Sequence, residues 1–177
     1  MRLGLSAALM VQALFGGALE ISLLDGAEYV DASQLRQVPD NQECFVSEAD
    51  ANRSIIVELL ELQEGPDEPA ESHGILGHWR ELAEANDAES AQVVKSVALD
   101  PLPDMERSVV YGVQVIPKYG KAHDLHRVPV WLGLLRIPRV RTDVLVSHCG
   151  GAAGEADEGR FVAMLESVRI LDWTLFK

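Results

Sequence analysis

The 177-residue chain is 47% apolar with a formal net charge of −13, which suits one globular domain that buries roughly 70% of the surface its unfolded chain exposes. The acidity is lopsided: residues 1–90 hold 18 Asp/Glu against 4 Lys/Arg, and residues 91–177 hold 10 against 11. Such a field disfavours nucleic acid and anionic lipid and favours encounter with a basic protein, beside the plainer reading of a solvated surface that aids solubility.

Cys44 and Cys149 are the only cysteines, too few for a disulfide scaffold, and they read as reduced thiols. Glu43 beside Cys44 argues against a reactive thiolate there. At the N-terminus, Arg2 followed by an apolar stretch to Leu14 and by the small residues Gly16, Gly17 and Ala18 has the outline of a secretory signal. Ser6 and Gln12 interrupt that stretch, which is too short for a confident membrane span.

Residues 18–24 predict a short strand that ends in a turn at Asp25-Gly26. Asp31 or Ser33 then caps a single helical turn. The polar run Arg36-Gln-Val-Pro-Asp-Asn-Gln-Glu43 lies between apolar segments; Pro39 sets its own φ, and Asp40 and Asn41 bond their own backbone readily, so the run predicts a solvent-facing turn that presents charge. Residues 42–47 suit a brief strand before a polar loop over 48–53. Residues 55–62 are ambiguous: Ser54, Glu58 and Glu61 recur at helical spacing, while Ile55-Ile-Val57 favours a strand. The choice decides geometry, because Glu58 and Glu61 share a helix face but point to opposite faces of a strand.

Gly65, Pro66 and Pro69 open a loop over 64–71. Residues 72–86 place Ile75, Leu76, Trp79, Leu82 and Ala83 on one helix face, with Arg80, Glu81 and Glu84 outward. Residues 92–99, 108–117, 128–137 and 142–148 predict four consecutive strands of an antiparallel sheet. After the small-residue loop 150–154, Glu155 and Asp157 suit a helix N-terminus, and Phe161, Met164, Leu165, Val168 and Leu171 mark its buried face. The apolar tail Trp173-Thr-Leu-Phe176 docks on the domain.

Catalytic motifs fail one by one. Gly150-Gly-Ala-Ala-Gly154 lacks the Lys-Ser/Thr of a phosphate loop, Gly16-Gly17 lacks a third glycine, and neither Gly-x-Ser-x-Gly nor His-Glu-x-x-His occurs. His123-x-x-His126 with Asp124 lies in a polar connection without a closed ligand set, and His73 and His78 fall on different helix faces. His148, at a strand end, reads as structural. The carboxylate pairs Asp40/Glu43 and Glu58/Glu61 come with no pocket residues that declare a substrate, whereas partner binding asks only for exposed, orientable charge. No catalytic residue, metal or cofactor is assigned.

Taken together, Leu14-Phe-Gly-Gly-Ala18, Val30-Asp-Ala-Ser-Gln-Leu35, the Arg36 to Glu43 run and Ser54-Ile-Ile-Val-Glu-Leu-Leu-Glu61 closely resemble the Ran guanine nucleotide release factor family, the MOG-type nuclear-import proteins. The resemblance returns in Leu134-Leu-Arg-Ile-Pro138, Thr142-Asp-Val-Leu-Val146 and Asp172 to Phe176, in family order, while residues 64–128 fit mainly in their pattern of elements. It implies an α+β fold, an antiparallel sheet of roughly six strands covered by helices and related to PsbP, with 55–62 a central strand. It also implies that residues 14–177 form the domain and 1–13 an apolar extension, and that the N-terminal segment is retained.

By the same resemblance the protein is expected to bind the Ran GTPase, promote release of its nucleotide, support nuclear import from nucleus and cytoplasm, and do no covalent chemistry of its own. The partner-facing residues carried over are Asp40, Asn41, Glu43, Glu58 and Glu61, with Arg36 and Pro39 holding the turn. A monomer is expected, without direct membrane or nucleic-acid binding. Two alternatives stand beside this: an adaptor without exchange activity, for instance for a membrane protein's cytoplasmic loop, and a secreted or organellar PsbP-like protein. The loop over 150–158 is short for a partner-contacting connection.

Overall fold

The computed structural model describes residues 11–23, 29–48, 53–61, 76–85, 88–100, 102–105, 107–117, 129–150 and 155–176, and at residues 76, 78, 107–117 and 155–157 the backbone only. Strands β1 (Val11–Leu14), β2 (Leu19–Ser22), β3 (Tyr29–Asp31), β4 (Gln42–Ser47) and β5 (Ser54–Glu61) precede helix α1 (Leu76–Ala85). Strands β6 (Ala88–Ala98), β7 (Arg107–Pro117), β8 (Pro129–Ile137) and β9 (Thr142–Cys149) follow, then helix α2 (Glu155–Glu166) and strand β10 (Arg169–Ile170). Among the described residues β3-β4-β5-β9-β8-β7-β6 form a seven-stranded sheet and β1-β2-β10 a three-stranded one, with every pairing antiparallel.

The expected α+β architecture is therefore present, with seven strands in the main sheet where roughly six were expected. The four-strand run at residues 92–148 is a plain meander, β6-β7-β8-β9. The ambiguous segment is strand β5, paired with β4 on one side and β9 on the other. Its helix-like periodicity arises because burial fades along the strand: Ile55 and Val57 are buried, Glu61 is exposed. Strand β9 is buried along all eight residues, since both sheet faces are covered there, and a strand covered on both faces need not alternate.

On one face, α2 and the small sheet bury Leu14, Leu19, Ile21, Phe161, Met164, Leu165 and Val168 against Phe45, Ile55, Val57, Leu135, Ile137, Val144 and Val146. On the other, Trp79 and Ala83 of α1 pack on Leu132, Leu145 and Ala88, and the Trp79 indole N–H donates to the Pro129 carbonyl at 3.2 Å. Arg80, Glu81 and Glu84 face outward as expected.

Three local expectations need correction. Helix α2 stops at Glu166, so Leu171 is not on its buried face and is 52% exposed; the chain turns at Ser167 to pair Arg169 and Ile170 with β2. The residues after Tyr29 begin as a three-residue strand before the turn, because Tyr29, Val30 and Asp31 pair with Ser47, Val46 and Phe45. Strand β6 starts at Ala88, four residues before the predicted start, on an exposed sheet edge where side-chain periodicity carries little signal. Val11 to Ala13 pair with β2; residues 1–10 lie outside the described set, as does the turn at Asp25-Gly26.

At Gly133, on strand β8, helix α2 lies close against the sheet. A Cβ there would lie 2.7 Å from Cδ2 of the fully buried Leu165 and closer still to Cδ1. Gly133→Val is expected to lower stability by about 3 kcal/mol through overpacking. Urea titration checks this: an unchanged midpoint would mean that α2 slides to accommodate the side chain.

Candidate interaction groove

The polar run folds as a turn because of its own backbone chemistry. The Gln42 N–H donates to the Pro39 carbonyl at 2.9 Å, which leaves Asp40 and Asn41 at the apex. Asn41 is bound to the neighbouring strand from both ends, its carbonyl accepting from the Leu59 N–H at 2.9 Å and its side-chain amide donating to the Leu59 carbonyl at 3.0 Å. Asp40 is exposed beside it. Before the run, Asp31 accepts from the Ser33 N–H at 2.9 Å and the Arg36 N–H donates to the Ala32 carbonyl at 3.0 Å, the capped turn expected from the sequence.

Asp40, Asn41 and Glu61 line one open groove of about 830 Å³ with Phe15, Leu59, Leu60, Val140, Arg141, Thr142, Leu175 and Phe176. Five separate pieces of chain meet here: the turn after β1, the turn before β4, the end of β5, the β8–β9 hairpin and the C-terminal tail. The tail is held by Arg139, whose guanidinium carbon sits 4.3 Å from the Trp173 ring centroid, and by the Leu171 N–H, which donates to the Ala18 carbonyl at 2.9 Å; within it Asp172 accepts from the Thr174 N–H at 2.9 Å. The groove thus combines apolar residues, Phe15, Leu59, Leu60, Val140, Leu175 and Phe176, with the charged Asp40, Glu61 and Arg141.

Glu58 is not part of it. On β5 it stands opposite Leu145, on the sheet face packed by α1, while Glu61 stands opposite Thr142 and falls on the other face. The two carboxylates are on opposite faces, as a strand requires.

Glu43 sits behind the groove, half-buried, and its Oε1 accepts from the Phe15 N–H at 2.8 Å. Phe15 has φ +53°, and Gly16 and Gly17 follow at +69° and +96°. Glycine takes such values freely, but for phenylalanine this backbone costs about 1–2 kcal/mol. Burial raises the Glu43 carboxyl above its ordinary range, the Phe15 bond opposes the shift, and the charge of Asp31 adds to it. With a folded pKa above the unfolded one, this group favours folding when protonated and loses that contribution as pH rises through the folded value.

Arg36 acts on the thiols. Burial raises the Cys44 pKa, opposed by the Arg36 charge and hydrogen bond, and pushes Cys149 up to about 12. Both are buried and free, so both stay protonated and unreactive at neutral pH.

His148 is buried, stacked on Phe161, with the Tyr29 hydroxyl 3.4 Å from Nε2. His73, His123, Asp124 and His126 lie outside the described residues, and for His78 only the backbone is described. Among the described residues no cluster of three His, Cys, Asp or Glu has metal-binding geometry, and no helix is long and apolar enough to cross a membrane.

Sequence reasoning missed Arg141, Val140 and Leu175 as groove residues, and it missed the ion pair beneath them. Arg136 Nε and Nη2 donate to Asp143 Oδ1 and Oδ2 at 3.0 and 3.1 Å. The signal was present: Arg136 and Asp143 are equidistant from the Pro138–Arg141 turn, which places them directly opposite in a hairpin. The paired glycines after Phe15 likewise marked a left-handed turn.

A family model described as "Ran-interacting Mog1 protein" matches residues 12–149. The chain is 29% identical over 189 residues to a Ran guanine nucleotide release factor of Danio rerio, across 94% of this chain and 100% of that one. It is 34% identical over 148 residues to the nuclear import protein mog1 of Schizosaccharomyces pombe, across 78% and 74%. It is 36% identical over 145 residues to a Ran guanine nucleotide release factor of Homo sapiens, across 76% and 72%. In fold it is similar to the Ran-binding protein Mog1p of Saccharomyces cerevisiae, with TM-score 0.65 and 23% identity over 94% of this chain and 97% of that one. Cyanobacterial PsbP from Synechocystis is also similar in fold, with TM-score 0.61 and 10% identity over 94% and 96%.

Proposed function

The chain belongs to the Mog1 family, and from that membership we propose that it binds the Ran GTPase through the Asp40/Glu61 groove, promotes release of Ran's guanine nucleotide and supports nuclear protein import. The observation that carries this reading is the family match, which runs through every strand that lines the groove. Exposed carboxylates in a groove that also holds apolar side chains suit a basic protein surface: the charges steer and orient, and the apolar side chains supply contact area.

Such a factor needs no covalent chemistry. It acts by binding the GTPase more tightly when the nucleotide is absent or loosened, so that its own binding shifts the population towards release. A coupling of about 3 kcal/mol changes nucleotide affinity roughly 150-fold. The protein would work in the nucleus and cytoplasm, where Ran cycles, as a monomer without a cofactor.

The test is release of a fluorescent guanine nucleotide from purified Ran. Addition of this protein is expected to accelerate release at least tenfold over the intrinsic rate. Tight binding with an unchanged rate would instead make it an adaptor, and absence of binding would overturn the reading.

A further inference from the structure

We infer that the C-terminal tail is an arm of the contact surface: Leu175 offers the partner an accessible apolar contact in the groove, and Arg139 is a positioning residue that holds the tail there through Trp173. The partner is Ran, as proposed above, and the role of the tail rests on that reading. Of the apolar side chains that line the groove, Leu175 is the most exposed, at 41%. A leucine left accessible in the free protein, in the same groove as Asp40 and Glu61, has apolar surface still to bury when a partner is steered in by those carboxylates.

Beyond β10 the chain makes a single 3-10 turn, Trp173–Leu175. Asp172 shapes it, its Oδ1 accepting from the Thr174 N–H at 2.9 Å and from the Thr174 hydroxyl at 2.6 Å. Those bonds are local and do not decide where the turn sits on the domain. The Leu171 and Asp172 N–H groups fix the start of the tail by donating to the Ala18 carbonyl at 2.9 and 3.3 Å. Further along, Trp173 and Phe176 pack against the main core, with their rings 6.3 Å apart. Arg139 sits over Trp173, with its guanidinium carbon 4.3 Å from the ring centroid. A cation over the electron-rich face of an indole adds a preferred position to apolar packing that has none of its own. Neither Arg139 nor Trp173 lines the groove, whereas Val140 and Arg141 on one side of the contact and Leu175 and Phe176 on the other do. The contact thus ties the hairpin wall of the groove to the tail wall.

Two readouts on the full chain decide the matter, affinity for Ran and acrylamide quenching of tryptophan fluorescence. Leu175→Ser is expected to leave the urea midpoint unchanged, because the side chain is exposed, and to weaken Ran binding about tenfold. That loss should persist as salt rises, because screening acts on charges and not on an apolar contact. Arg139→Ala is expected to weaken binding about threefold and to raise the quenching of Trp173; Trp79 and Trp131 are buried, so the quencher reads Trp173. Arg139→Lys keeps a cation over the ring and is expected to recover most of both changes. Arg139→Ala added to Leu175→Ser is expected to weaken binding by less than the product of the two, since both act on one arm.

Affinity within about twofold of wild type in a folded Leu175→Ser variant would overturn the role of the tail. Unchanged quenching in Arg139→Ala would overturn the positioning role, and an affinity loss beside it would place the arginine itself against the partner. If the wild type does not bind Ran, the proposed function fails, a result distinct from a wild type that binds and a Leu175→Ser variant that binds equally well. The quenching result then still decides whether Arg139 holds the tail.

Discussion

Asp40→Lys combined with Glu61→Lys is expected to weaken Ran binding about hundredfold at low salt, or about 2.7 kcal/mol, without loss of the fold. Both carboxylates are exposed and belong to the same groove, so reversal puts two like charges against a basic partner. Most of the loss should appear in the association rate, and it should shrink as salt rises towards a screening length of about 8 Å. Asp40 with Glu61 is a better pair for this test than Asp40 with Glu43, because a lysine at position 43 would also break the Phe15 bond.

Glu58→Lys supplies the internal control: it lies on the sheet face packed by α1 and is expected to change affinity less than about threefold. Isothermal titration of the folded variants with Ran checks both. Equal losses at positions 58 and 61 would mean that the partner wraps round the end of the sheet, and no loss in the double variant would move the interface elsewhere.

Asp143→Ala is expected to cost about 3–5 kcal/mol of stability. Arg136 and Asp143 face each other across the β8–β9 hairpin, their side chains only 14% and 5% exposed, and they form a bidentate pair. Removal of the carboxylate takes the bidentate acceptor away from the Arg136 guanidinium in a poorly hydrated site. With a urea dependence of about 2 kcal/mol per molar for a domain of this size, the midpoint should fall by about 2 M.

Replacement of both partners by apolar residues, Arg136→Met with Asp143→Leu, is expected to recover most of that loss. If the single and double variants unfold together, the pair contributes by packing and not by charge compensation. The same hairpin carries Val140 and Arg141 into the groove, so Asp143→Ala should also lower affinity for Ran.

The polar turn at Arg36 to Glu43 was legible because Pro39, Asp40 and Asn41 specify a turn through their own backbone preferences, which need no tertiary contact. The four-strand meander was legible because its strands are long and separated by turn residues. Resemblance, not periodicity, made β5 a strand: its residues pass from a doubly covered interior to a half-exposed end, and no single period describes both. Leu171 was misplaced because a helix pattern continues past Ser167 while the chain does not; pairing with β2 takes over from the helix at Arg169.

What the residues determined by themselves was an acidic α+β domain of the Mog1 kind, without a recognisable catalytic motif and with charge presented at Asp40. Only the tertiary structure decided which charges act together. Glu43 lies three positions from Asp40 yet faces inward to Phe15, and Glu58 lies three from Glu61 yet faces the other side of the sheet. Glu61 instead joins Asp40 across the strand ends, with Phe15, Arg141 and Phe176 drawn in from both ends of the chain. The reason is that a strand sends neighbouring side chains to opposite faces, and a groove is built by whichever segments the sheet order brings to one edge.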